Sequence, residues 1–91
     1  MKVKMFDKDW EVKDLKYKEK RQLWKLSIMA FDDKGQANQS KYYDLLNEVE
    51  LVSGLSEKDY FKDDKSPLSM AEIDLLLQEV FSNYMGLNPK G

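Results

Sequence analysis

Apolar and polar positions change rhythm along this chain, dividing it into a short strand-like opening and a series of helices. Val3, Met5, Trp10 and Val12 alternate with charged neighbours on either side of Asp7-Lys8-Asp9. A period of two with a turn-prone break predicts a β-hairpin over 2–13. Lys2, Lys4, Glu11 and Lys13 then take the wet face, while Val3, Met5, Trp10 and Val12 cover something apolar. Two strands are marginal alone, so the hairpin must lie on a helix or pair with another chain.

From Tyr17 the period lengthens. Tyr17, Arg21, Trp24, Ile28 and Phe31 recur at helical spacing, with Leu23, Leu26 and Ala30 widening the stripe, which predicts a first helix over 16–32 with Tyr17 and Trp24 on its buried face. Asp32 to Ser40 is a polar loop in which Gly35 can close that helix. A second helix is predicted over 40–53, where Tyr42, Leu45, Leu46, Val49 and Val52 share one side and Ser53-Gly54 ends it. Leu55 packs back across the glycine, and Ser56 starts a short helix over 56–62. Beyond a charged linker, Ser69-Met70-Ala71-Glu72 is a capping box. It opens a helix over 69–85 whose stripe is Met70, Ile73, Leu76, Leu77, Val80, Phe81 and Tyr84, with Gly86 as its stop and 86–91 as a tail.

The predicted fold is therefore α+β and mostly α, a short N-terminal β-hairpin packed on a bundle of three main helices, in a single domain spanning 1–91. Its 91 residues suit one domain, and 42% hydrophobic residues suffice for a core despite the high charge. No apolar run approaches the ~20 residues of a membrane-spanning helix, so the expected location is the cytoplasm, with no membrane partner.

Composition narrows the chemistry sharply. The chain has no cysteine and no histidine, which removes thiolate nucleophiles, the commonest general base and the commonest transition-metal ligands. Asp32-Asp33 and Asp63-Asp64 lack the spaced oxygens and central glycine of a calcium loop and read as solvated loop charges. Gly35 and Gly54 stand outside any glycine-rich phosphate loop. The expectation is a protein that is not an enzyme and takes no cofactor or metal.

Charge is segregated. Residues 1–25 hold nine Lys/Arg against five Asp/Glu, a balance of +4, and residues 26–91 hold six against twelve, a balance of −6. The attraction between the halves acts within the fold or between copies, as self-association. Lys13, Lys16, Lys18, Lys20, Arg21 and Lys25 interleave with Tyr17 and Trp24, a mixture used by single-stranded nucleic-acid sites. Burial of both aromatics would disarm that site, so nucleic acid is the alternative partner and a protein the preferred one. Tyr43, Leu51, Leu75, Met85 and Leu87 lie off the main helical stripes and are the candidate partner-binding residues.

The run Phe6-Asp7-Lys8-Asp9-Trp10-Glu11-Val12-Lys13-Asp14-Leu15-Lys16-Tyr17-Lys18-Glu19-Lys20-Arg21-Gln22-Leu23 resembles the amino-terminal module of the small tail assembly chaperones of tailed bacteriophages and related virion-assembly proteins. In those proteins a short hairpin ends in an aromatic-x-Val/Ile strand and runs through a Leu-containing connection into a charged helix. The resemblance implies a helix-rich chaperone that coats a structural client, the tape measure or tail tube protein, in the host cell cytoplasm, using apolar helix faces.

Overall fold

The computed structural model describes residues 1–31, 36, 38–61 and 67–86. Strands β1 (Lys2–Met5) and β2 (Lys8–Glu11) form an antiparallel pair in the register Lys2 with Glu11, Val3 with Trp10, Lys4 with Asp9 and Met5 with Lys8. The turn is Phe6-Asp7, one residue earlier than the Asp7-Lys8-Asp9 cluster indicated. Both turn residues have positive φ, 55° and 58°, as a two-residue turn of the twist-matched type requires. Phe6 takes this strained geometry while packing against the core. The Trp10 indole Nε1 donates to the Met5 carbonyl at 3.0 Å, and Met1 and Val12 exchange backbone hydrogen bonds that carry the ladder beyond both strands. The faces divide as the alternation predicts: Val3, Trp10 and Val12 are buried, and Lys2, Lys4, Glu11 and Lys13 are exposed.

Four helices follow: α1 (Tyr17–Ala30), α2 (Gln39–Ser53), α3 (Glu57–Tyr60) and α4 (Met70–Met85). Their ends are chemically marked. The Glu19 carboxylate accepts from the Lys16 backbone N–H at 2.8 Å, and Asn38 Oδ1 accepts from the Lys41 N–H at 3.1 Å. Ser69 and Glu72 form both bonds of the expected box, at 2.9 and 3.2 Å. Helix α1 stops at Ala30, with Phe31 already extended; Gly35, expected to close it, lies outside the described residues. Gly54 and Gly86 sit at φ +82° and +68°, the left-handed geometry that ends a helix without a Cβ clash.

One cluster joins every element: Val3, Trp10 and Val12 from the hairpin and its continuation, Leu23 from α1, Leu45, Leu46 and Val49 from α2, Tyr60 from α3, and Ile73, Leu76, Leu77, Val80 and Tyr84 from α4. Helix α2 packs on α1 and on α4, whereas α1 and α4 touch only slightly. The hairpin lies on α4 and is tied to the end of α2 by the Lys13 N–H, which donates to the Ser53 carbonyl at 2.9 Å. Two members of the predicted α4 stripe sit differently: Met70 is exposed and Phe81 half-buried, because at about 100° per residue both lie at the edge of the face centred on Ile73, Leu76 and Val80.

Tyr84 closes the fold over a long sequence separation by donating its hydroxyl to the Lys13 carbonyl. Burial, with smaller contributions from the Asp14 and Glu19 carboxylates, raises its pKa to about 12. Between pH ~10 and ~12 the unfolded chain therefore loses a proton that the native state keeps. Stability is complete below pH ~10 and falls as pH rises through this window. Tyr84→Phe is expected to cost about 1 kcal/mol at neutral pH and to flatten part of the alkaline decline, both measurable by urea titration at a series of pH values.

Candidate protein-docking surface

Helix α1 meets the core with Leu23 and Ala30, both at 0% exposure, and with half-buried Leu26. At about 100° per residue, the side opposite these positions carries Tyr17, Arg21, Trp24 and Ile28 in a line. All four face solvent, with Tyr17 at 74%, Trp24 at 48% and Ile28 at 61% exposure. This reverses the expected orientation. The residues read as the buried stripe form the outer face, and those read as its widening form the contact with α2. Ala30 favours this side because its small side chain lets the helix end approach the core closely, which Trp24 and Ile28 would prevent.

The consequence is a continuous apolar and aromatic strip bordered by cations. Lys18, Arg21, Gln22, Trp24, Lys25, Ile28 and Met29 line a shallow depression of about 600 Å³ on this face, whereas Phe31, past the helix end, turns to α2, edge-on against Tyr42 at 6.0 Å and beside Leu45 and Phe81. Lys16, Lys18, Lys20, Arg21 and Lys25 are all exposed. Glu19, the acid within α1, is half-buried and occupied at the helix start.

A second concavity, of about 290 Å³, opens on the far flank of α2 between α2, α3 and α4. Leu46, Ile73 and Leu77 line it beside Tyr43, Phe61 and Met70, and its charged lining residues among those described are Glu50, Glu57 and Asp74. Two of these carboxylates are held by phenols. Tyr60 donates to Glu50 Oε2 at 2.6 Å, and Tyr43 donates to Asp74. Burial first, then the bond to Glu50 and its charge, raise the Tyr60 pKa far above the ordinary tyrosine value. For Tyr43 the bond to Asp74 leads, followed by that carboxylate's charge.

The five candidate partner residues do not converge. Tyr43 borders the acidic groove, Leu51 lies in the cleft between α1 and α2 beside Lys13, Lys18 and Gln22, and Leu75 projects from the outer side of α4. Met85 is half-buried against the core, so it is not surplus surface, and Leu87 lies outside the described residues. Asp32-Asp33 and Asp63-Asp64 also lie outside them. Among the described residues no group of three or more acids is placed to hold a metal ion, and no helix is long and apolar enough to cross a membrane.

Comparison with protein-family models, curated proteins and solved structures finds no significant match to this chain.

The orientation of α1 has a direct mutational signature. Leu23→Ala is expected to destabilise the protein by about 2–5 kcal/mol through the cavity it leaves. Trp24→Ala, although it removes a larger side chain, is expected to cost less than about 1 kcal/mol because half of that side chain is already in water. Denaturant titration of the two variants compares them; equal losses would place Trp24 in the core.

Proposed function

We propose that this protein is a non-enzymatic assembly factor that binds a structural client protein through the outer face of α1, and that it serves as a tail assembly chaperone of the kind its opening segment resembles. The observation that carries the reading is the solvent-facing strip Tyr17, Trp24 and Ile28, with Met29 beside it. A contiguous exposed apolar strip rimmed by charge is the ordinary form of a protein-docking face. Tryptophan, tyrosine and arginine are the residues that concentrate binding energy at such faces, and Arg21 lies between Tyr17 and Trp24 on this one. A helical client segment with acidic flanks fits both the length of α1, ~21 Å, and its sign of charge. Binding there would cover apolar surface on the client and on the chaperone together.

Co-expression with a tape measure or tail tube protein encoded beside it is expected to give a co-purifying complex, and Trp24→Ala/Ile28→Glu is expected to abolish co-purification while leaving helical content unchanged. Failure to capture any neighbouring structural protein ends this reading.

A second reading gains support from the same orientation, since Tyr17 and Trp24 are presented to solvent among Lys18, Lys20, Arg21 and Lys25 and are available for base stacking. Two features rank it lower. The aromatics stand seven positions apart on a convex helix, too far for adjacent bases, and the strip continues into aliphatic Ile28 and Met29, which stacking does not use. On this reading a fluorescent single-stranded oligonucleotide would bind at low salt and be released steeply as salt rises; Lys18→Glu/Arg21→Glu would abolish that binding. An unchanged anisotropy at low salt disposes of it.

A further inference from the structure

We propose that the outer face of α1 lies flat against an anionic lipid surface, with Tyr17, Trp24 and Ile28 sunk to the depth of the headgroups and the neighbouring cations on lipid phosphates. At about 100° per residue, Trp24, Tyr17 and Ile28 fall within about 40° of one another around the helix. Arg21, Lys25 and Lys18 follow on one side of that line and Lys20 on the other, and all four are exposed. An interfacial helix needs this order: the apolar line enters the headgroup region, and long basic side chains beside it reach back to phosphate. Tryptophan and tyrosine favour that depth, being apolar in body and polar at one end. The acids at the helix start are occupied elsewhere. Glu19 faces the packed side and holds the Lys16 N–H, and Asp14, before the helix, lies 3.4 Å from the amino-terminal ammonium.

Shape and charge both favour a sheet of lipid. Tyr17, in the first turn, is 74% exposed and Ile28, in the last, 61%, so no described residue stands over either end of the line and a flat surface can meet it along its whole length. The chain as a whole carries −2, and its carboxylates Glu50, Glu57 and Asp74 line the groove on the far flank of α2. An anionic surface therefore attracts one side of the molecule and repels the other, which fixes α1 as the face that lands. Few cations and a short apolar line make the contact weak and reversible. The expectation of no membrane partner rests on the lack of an apolar run long enough to span a bilayer, and a helix that lies in the interface needs none. The lipid surface is a partner beyond the structural client, and since both use one strip, each excludes the other from the same molecule.

The test needs no client. At low salt the wild-type protein is expected to co-sediment with sucrose-loaded vesicles of phosphatidylcholine and phosphatidylglycerol in equal parts, with an affinity at least ~10-fold above that for phosphatidylcholine alone. Release is expected at ~0.5 M salt, where screening is strong. Trp10 is buried, so a blue shift of the fluorescence on binding reports Trp24 leaving water. Lys18→Glu/Lys25→Glu is expected to lose the anionic vesicles. Tyr17→Ser/Ile28→Ser, which keeps every cation and Trp24, is expected to bind them ~10-fold more weakly. Leu75→Ser, on the outer side of α4, is expected to bind as the wild type does. All of these side chains are exposed, so circular dichroism is expected to be unchanged throughout. Wild-type protein that stays in the supernatant with the anionic vesicles, binds both kinds of vesicle equally, or binds without a blue shift overturns the proposal. So does Tyr17→Ser/Ile28→Ser binding at full strength. A client captured by protein that ignores the vesicles leaves the client reading standing while this one falls, and a single-stranded oligonucleotide bound in their place assigns the strip to nucleic acid.

Discussion

The buried side of α2 is the surface on which the rest of the molecule rests. Leu45, Leu46 and Val49 are almost wholly removed from water, and they are shared by α1 on one flank and α4 on the other, with the hairpin joined to the same cluster through Val3, Trp10 and Val12. Each such side chain contributes about 1.5–3 kcal/mol, in a chain too short to hold many of them in reserve. A single shared helix also limits what its neighbours can bury. Helix α1 sits at the edge of the fold, with a packed side and a side that meets only solvent. The exposed strip of Tyr17, Trp24 and Ile28 follows from that edge position.

Local chemistry made much of this fold legible in the sequence. The alternation in the hairpin separated its wet and dry faces, and Gly54, Gly86 and the Ser69–Glu72 box marked helix ends because their geometry is settled within a few residues. The orientation of α1 was not legible, since apolar residues surround much of that helix. A periodicity argument favours the side with more and larger side chains, Tyr17, Trp24 and Ile28. Packing favours the side that can come closest to α2, which is Leu23 and Ala30. The hairpin turn was hidden for a related reason. Phe6 is an unusual residue at positive φ, held there by contact with the core, whereas of the polar Asp7-Lys8-Asp9 cluster only Asp7 is in the turn, and Lys8 and Asp9 already belong to β2.

The candidate surfaces were legible only in outline. Tyr43, Leu51 and Leu75 were correctly seen as surplus to their helices' buried faces, and all three are exposed. Surplus on separate helices does not imply a shared patch, because the pattern of one helix contains nothing about the rotation or spacing of the next. The acidic groove belongs to that class: Glu50, Glu57 and Asp74 come from three helices, and along the chain they appeared only as a general excess of negative charge after residue 25.

An exposed strip containing Trp24 and Ile28 invites indiscriminate association, and its border works against that outcome. Two α1 strips laid face to face would bring Lys18, Lys20, Arg21 and Lys25 of one copy against the same cations of the other. Like charges a few ångströms apart repel by about 1 kcal/mol per pair even in water, and by more as the contact dries. The flanking lysines thus oppose symmetric pairing through α1 in the way charged neighbours protect exposed apolar strands. The same cations favour any apolar surface that carries carboxylates. Specificity arises from the combination: the apolar line supplies the attraction, and the basic rim decides which apolar surfaces can approach closely enough to use it.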